Sequence, residues 1–350
     1  MGRQASGLIL RSIFTRVGEK ARGWGGAGAE SGAMASPTAQ LTIAKDFRVR
    51  RSELTCPAHS LKMMAKAAAS AADEVIFDLE DACAVSQKVA ARATLIEALR
   101  TLDFGGKVRA FRPNAVNTKY FYRDLIEVVE AAGAFVDVVV VPKVYTADDV
   151  RFVDRLLTGV EQASGLPVGR IRLEVLIESA QALLRAEEIA ACSPRMASLI
   201  FGIADYAGDT GARRFTEAEF QTFHYPKSHI IAAARAAGID VIDNVTVHFR
   251  DLEQVRRDAE AGSRLGFDGK WAIHPSHIEP IHAAYTPTRE ELTRALGILE
   301  AYRKADVEQG TGAIVYEDEM VDAATLRVEW KKLAVARQAG LLDEAGQLRP

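Results

Sequence analysis

Cysteine is scarce in this 350-residue chain: Cys56, Cys83 and Cys192 are scattered and odd in number. That excludes a disulfide framework and fits reduced thiols in a cytosol-like compartment. No Cys/His cluster has zinc-ligand spacing, which argues against zinc. Charge of one sign is missing as well. Lys and Arg number 44 against 47 Asp and Glu, the net charge is −3, and no dominant basic stripe offers itself to nucleic acid. No apolar run reaches the ~18 residues of a membrane span. What is present in quantity is apolar side chain, 48% of the total, ample for the core of a single elaborated domain.

Residues 1–40 differ from the rest. They are rich in Gly, Ala, Ser and Arg and hold five basic residues with only Glu19 and Glu30 as acids. The readings are a disordered tail, an upstream start with translation from Met34, or an organellar transit peptide. The expected location is accordingly cytoplasmic, with the mitochondrial matrix as the alternative.

Eight short apolar runs follow, at Ser52–Thr55, Val75–Phe77, Lys107–Phe111, Val136–Val141, Ile171–Ile177, Leu199–Ile203, Ile239–Ile242 and Lys270–Ile273. Helix-length stretches such as Ser86–Thr101, Tyr122–Ala132 and Asp251–Leu265 lie between them. Strand and helix in alternation imply a parallel sheet, and eight such units a (β/α)8 TIM barrel, an α/β fold with its active site at the C-terminal strand ends. Just past the runs stand Asp78, Arg112, Lys143, Glu178, Asp205, Asp243 and His274. No repeat beyond the βα unit is visible. The expected organisation is a tail or targeting segment over 1–45, a barrel over 46–278, and a hinge with a helical lid over 279–350. The last part carries helical patterns at Glu290–Arg303 and Asp322–Arg337, with Gly310-Thr311-Gly312-Ala313 between them as the hinge.

Five constellations carry chemistry. Asp78-Leu79-Glu80-Asp81 places three carboxylates in four positions, which repel one another and call for a cation, a basic partner or free solvent. The alternative is an exposed turn and helix N-cap. In Glu174-Val175-Leu176-Ile177-Glu178, alternation puts Glu178 at the rim and Glu174 deeper, as a structural barrel acid. Glu178 could otherwise cap a helix. Asp205 follows a buried strand, Phe201-Gly202-Ile203, on the neighbouring unit and should face Glu178. Two hard oxygen ligands with water and substrate completing the shell is a Mg²⁺ arrangement. Arg112 ends the third run; it either pairs with the acids or holds a carboxylate or enolate oxygen with its planar fork. Lys62 and Lys66 share a helix face, either for cofactor phosphates or as a solvated pair.

Together these segments resemble the malyl-CoA/citramalyl-CoA lyases, grouped with the citrate lyase β-subunit in the HpcH/HpaI aldolase superfamily. The matching stretches are Arg51–Leu54, Lys66–Ser70, Asp78–Asp81, Val141–Val144, Glu174–Ala180, Phe201–Tyr206 and Gly269–Pro275. The resemblance implies a reversible, Mg²⁺-dependent carbon–carbon lyase, with Mn²⁺ as a substitute ion and coenzyme A as part of the substrate. It implies Glu178 and Asp205 as metal ligands, Glu80 and Asp81 as holders of metal-bound water, and Arg112 as the substrate arginine. Thr55, on the loop that leads to Lys62 and Lys66, would contact the cofactor with them, and His248 and Phe249 would contact substrate. Asp322, in Met320-Val321-Asp322, would be the proton-transferring acid acting across a subunit boundary in a homotrimer or homohexamer, with Asp318 as the other candidate. The alternatives are a malyl-CoA thioesterase and a citrate lyase β-subunit-like lyase. Two departures stand out: Ser60 where relatives carry a basic residue, and a short loop over Ala207–Tyr225.

Overall fold

The structure, a computed structural model, describes residues 48–214, 222–309, 312–343 and 346–349. The expected tail and the hinge residues Gly310 and Thr311 lie outside the described residues, as does part of the 207–225 loop. Eight parallel strands close into a barrel in chain order: β1 Ser52–Pro57, β2 Glu74–Asp78, β3 Val108–Arg112, β4 Val138–Val141, β5 Arg172–Ile177, β6 Met196–Phe201, β7 Asp240–Asp243 and β8 Gly269–Ala272. β8 returns to pair with β1, matching Glu53 with Trp271 and Leu54 with Ala272. The (β/α)8 expectation is met.

Every second side chain enters the barrel. On β2 these are Glu74, Ile76 and Asp78, while Val75 and Phe77 pack outward under the helices. The interior cluster of Ile76, Val108, Ala110, Val138, Val140, Leu176, Ile200, Ile242 and Trp271 fills the middle. Charged inward positions are thus left only towards the two ends. The outer helices follow the same economy. In Phe121–Ala132 the buried residues Phe121, Leu125, Val128, Val129 and Ala132 recur at helical spacing and form the face that meets the sheet.

Strand boundaries differ from the sequence reading by one to three residues, with consequences at β6 and β1. β6 starts at Met196, not Leu199, and ends at Phe201; Ile203 opens the helix Ile203–Thr210. Ile203 is buried beneath that helix, so its apolar character served a helix face rather than a strand. Thr55 stands inside β1 rather than on a loop: the strand runs on to Pro57, because Thr55 and Pro57 pair in register with Ile76 and Asp78.

Residues 50–285 form one compact unit, which includes the helix Ile278–Tyr285. The described residues from Thr286 onward belong to a second. Its helix Arg289–Gln309 and helix Ala323–Gln338 enclose Ile298, Tyr302, Leu326 and Trp330 together with Val321 from a hairpin of β9 Ala313–Tyr316 and β10 Glu319–Asp322. Glu317 and Asp318 make the hairpin turn with φ of 48° and 64°. Among the described residues no helix is long and apolar enough to cross a membrane.

Barrel closure depends on Gly269. A Cβ built there would lie 1.7 Å from the Arg50 carbonyl oxygen and 2.8 Å from that of Arg51. Both are backbone atoms that cannot step aside without breaking the β8–β1 ladder. Gly269→Ala should therefore cost about 3 kcal/mol or more, at the severe end for one added methyl group. Urea unfolding of the purified variant checks this; an unchanged midpoint would show that the seam between β8 and β1 has slack.

Candidate active site at the C-terminal mouth of the barrel

The inward alternation that places the apolar plug also delivers Asp78, Arg112 and Glu178 to one end of the barrel, as the last residues of β2 and β3 and the first after β5. Asp78, fully buried, organises the acidic turn. Its carboxylate accepts the backbone N–H groups of Glu80 and Ala82, each at 2.8 Å, and two donors of Arg112, Nε at 2.8 Å and Nη2 at 2.6 Å. The Arg112 fork is thus already filled by Asp78, the pairing role of the two read from the sequence. Nη1 points toward Glu80 Oε2 at 3.6 Å, and the guanidinium lies 5.3 Å over the Trp271 ring. Burial alone would lower the Arg112 pKa, but Asp78, Glu80 and Glu178 together hold it above its ordinary value.

Lys143 answers the remaining acids. It follows β4 with φ +50°, a left-handed backbone rare for a residue with a side chain. That conformation lets one residue serve two groups. Its N–H donates to Glu178 Oε1 at 2.5 Å, while its ammonium bonds Glu80 and reaches Asp81 at 3.2 Å. Glu80 is buried and Asp81 exposed. Burial raises the Glu80 carboxyl despite Arg112 and Lys143, whereas Asp81 is lowered because its hydrogen bond with Glu80 and the Lys143 charge outweigh its desolvation.

Glu178 is the most perturbed carboxyl of this mouth. Only 5% exposed, it is pushed up to about 8, first by burial and then by the negative charge of Asp205. Asp205 is itself exposed, in the first turn of helix Ile203–Thr210 rather than at a strand end. Gly202 makes room for the pair: a Cβ there would come within 2.6 Å of Glu178 Oε2. A buried carboxylate and a solvent-facing one that repel each other suit a divalent cation bound by oxygen, which would relieve the repulsion and leave open positions for water and substrate.

The other sequence candidates are scattered around this mouth or beyond it. Lys62 and Lys66 are exposed on one face of helix Leu61–Ala68, which Ser60 caps. Thr55 faces the interior, its hydroxyl 3.4 Å from the Ile76 carbonyl. His248 and Phe249 are exposed in the turn after β7; the Phe249 ring lies 5.7 Å from His274, and its carbonyl is 2.9 Å from His277 Nε2. Asp322 belongs to the second unit. There it caps helix Ala323–Gln338, accepting the N–H groups of Ala324 at 2.8 Å and Thr325 at 3.1 Å, bonds that hold its carboxyl below the ordinary value. Asp318 sits in the β9–β10 turn, four residues away. The sequence reading left Lys143 without a role and gave Asp78 only a place in the acidic cluster. Their signal was a position at or just past a strand's C-terminal end.

A closed parallel barrel with one buried, proton-prone carboxylate, a paired arginine and a lysine among acids defines a (β/α)8-barrel enzyme. Comparison with known proteins gives the family. The model of the HpcH/HpaI aldolase/citrate lyase family matches residues 51–275. The L-malyl-CoA/β-methylmalyl-CoA lyase of Cereibacter sphaeroides is 36% identical over 319 residues, 87% of this chain and 99% of that protein. Citrate lyase subunit beta of Leuconostoc mesenteroides is 33% identical over 299 residues, 85% and 97% of the two chains. The structure of CitE from Mycobacterium tuberculosis in complex with magnesium, acetoacetate and coenzyme A is 31% identical, covers 83% of this chain and 98% of its own, and superposes with a TM-score of 0.66. The chain belongs to the HpcH/HpaI aldolase/citrate lyase family.

The raised Glu178 carboxyl has a consequence for stability. Between its ordinary value of 4.5 and about 8 the folded chain holds a proton that the unfolded chain releases. Its contribution is complete below about pH 4.5 and is lost as pH rises through about 8. In chelated protein Glu178→Gln should gain stability over the parent as pH climbs, reaching on the order of 2–4 kcal/mol near the alkaline end. Calorimetry across pH measures this; a constant difference in Tm would mean that Glu178 keeps an ordinary carboxyl.

Proposed function

We propose that this chain is an acyl-CoA lyase that reversibly cleaves a 3-hydroxy-3-carboxy acyl-CoA, of the malyl-, methylmalyl- or citramalyl-CoA type, into an acyl-CoA and a 2-oxo acid, glyoxylate or pyruvate. The observation that carries this reading is the buried Glu178 beside Asp205, opposite an arginine whose fork is fixed by Asp78. Relatives named as malyl-CoA lyases and a relative structure holding magnesium and coenzyme A support it. Glu178 and Asp205 would hold Mg²⁺, with Mn²⁺ as a substitute, and Glu80 and Asp81 would hold its water. When bound, the ion supplies Lewis-acid polarisation of the substrate's carboxylate and hydroxyl oxygens.

The chain's own residues do the rest. Arg112, with Nη1 left over by Asp78, donates to the thioester oxygen as enolate charge develops there. Asp78 keeps that guanidinium from swinging to another acid. Lys143 fixes Glu178 through its N–H and neutralises Glu80 and Asp81 with its ammonium, so the acids of the mouth do not expel an anionic substrate. Thr55, Lys62, Lys66, His248 and Phe249 contact the coenzyme A ester. Asp322 removes the proton from the acyl-CoA carbon in condensation and returns it in cleavage, while the substrate hydroxyl takes its proton from water in condensation and releases it to water in cleavage. Asp322 does so in a neighbouring copy of a homotrimer or homohexamer.

Incubating the full chain with each of the three esters, with and without Mg²⁺, tests the reading. Acyl-CoA and 2-oxo acid should accumulate together only when the ion is supplied. Free CoA with an intact hydroxy acid would assign a thioesterase instead. The identity to citrate lyase subunit beta favours a second reading, a citryl-thioester lyase, for which turnover of a citryl thioester alone would decide.

The subunit assignment is separately testable. Asp322→Asn keeps an oxygen to cap the helix but cannot carry the proton, and it should lower kcat at least ~10²-fold. Mixed with Glu178→Ala under conditions that allow subunit exchange, it should recover part of the activity. No recovery would place both groups in one chain, and a normal kcat in Asp322→Asn would remove it from the mechanism.

A further inference from the structure

The opposite mouth of the barrel holds acids that the reaction above does not use. Glu53 on β1, Glu74 on β2 and Glu174 on β5 enter the barrel from its N-terminal end, each with no exposed surface. Each offers a carboxylate oxygen within 4.8 Å of the others'. Arg50 is the cation among them, with Nε 3.2 Å from Glu74 and 2.9 Å from Glu174 and Nη1 2.8 Å from the part-exposed Asp240. One guanidinium thus faces three fully enclosed carboxylates.

Their hydrogen bonding is incomplete. Among the described residues, neither oxygen of Glu53 has a donor, nor have Glu74 Oε1 and Glu174 Oε2. A group of a different kind points the same way. Ser198 on β6 is the register partner of Glu174 and shares the inward row with Ile200. Its Oγ is fully buried against the Glu174 carboxylate, whose ionised form it favours, and makes no well-formed hydrogen bond with any described group. A neutral hydroxyl oxygen therefore faces the same space as the orphaned carboxylate oxygens.

Enclosed charge without donors is not tolerated; something positive must enter, either protons or a cation. A divalent ion together with Arg50 brings the three carboxylates to neutrality. Every free donor atom is a hard oxygen. An oxygen separation of up to 4.8 Å is about twice a Ca²⁺–O distance of about 2.4 Å and wider than Mg²⁺ spans at about 2.0–2.1 Å. We propose that the N-terminal mouth of this barrel is a structural binding site for a divalent cation of Ca²⁺ size, held by Glu53, Glu74 and Glu174 with Ser198 Oγ as a neutral ligand. The ion would tie β1, β2 and β5 across the barrel floor. Without it, burial and mutual repulsion drive the Glu53 and Glu74 carboxyls far above their ordinary value, and protons fill the space instead.

The test uses the full chain, stripped with chelator, carrying Glu178→Gln to disable the other mouth. Ca²⁺ at about 100 times its dissociation constant should raise Tm by about 5 °C or more. Elemental analysis after desalting should find about one calcium per chain. Adding Glu53→Gln, which keeps the side chain's size, should abolish both the shift and the bound ion. No calcium and no shift in Glu178→Gln would overturn the site and leave protons as the neutralising charge; this result needs no variant of the floor itself. Retained calcium in the doubly substituted chain would overturn it too, by placing the ion elsewhere.

Discussion

The apolar layer across the middle of the barrel, from Ile76 through Leu176 and Ile200 to Trp271, constrains everything else in this unit. A closed barrel sends every second side chain inward, and an unpaired charge in a dry interior costs several kcal/mol. Charged inward residues are therefore confined to positions near the two ends of the strands. Glu74 and Asp78 lie only two inward positions apart on β2, with Ile76 between them. Glu174 and Glu178 are divided by Leu176 in the same way. One strand repeat thus builds two acidic mouths that cannot share counterions through the plug.

At the C-terminal mouth the acids are ordered by neighbours whose positions are themselves fixed. Asp78 accepts four donors, two from the backbone and two from Arg112, so neither it nor the arginine turns without losing several bonds. Lys143 adopts a left-handed backbone that costs about 1–2 kcal/mol, which the bonds to Glu80 and Glu178 offset. Orientation held by the fold before substrate arrives is the form of electrostatic organisation that lowers a barrier, because no reordering accompanies the reaction. Glu178 is the exception. Burial and Asp205 both oppose its charge, and neither Arg112 nor the Lys143 N–H offsets them, so its carboxyl stays above its ordinary value.

What the sequence disclosed follows from the range of each signal. Period-two alternation is local, so the inward positions of Arg112 and Glu178, and the depth of Glu174, could be read directly. Ile203 could not, since an apolar residue buried under a helix resembles one that ends a strand. The β9–β10 hairpin hid for a related reason: its turn residues, Glu317 and Asp318, take positive φ without the Gly or Asn that would have announced it. Thr55 reads as a loop residue because the first apolar run ends there, whereas pairing with β2 carries the strand on to Pro57. The three-glutamate floor was out of reach altogether. Glu53, Glu74 and Glu174 come from strands up to 121 positions apart, and only barrel closure makes them neighbours.

Asp322 shows how one carboxyl can carry two demands. As the N-cap of Ala323–Gln338 it accepts two backbone N–H groups, an arrangement that favours the ionised form. A carboxyl that donates a proton to carbon must first carry it, and carrying it weakens those bonds. Under the proposed function, in which Asp322 exchanges a proton with the acyl-CoA carbon, the cap favours the ionised form that accepts one. In the cleavage direction the same cap makes its proton easy to lose. Capping does not change the overall equilibrium, since it acts on the same residue in both directions.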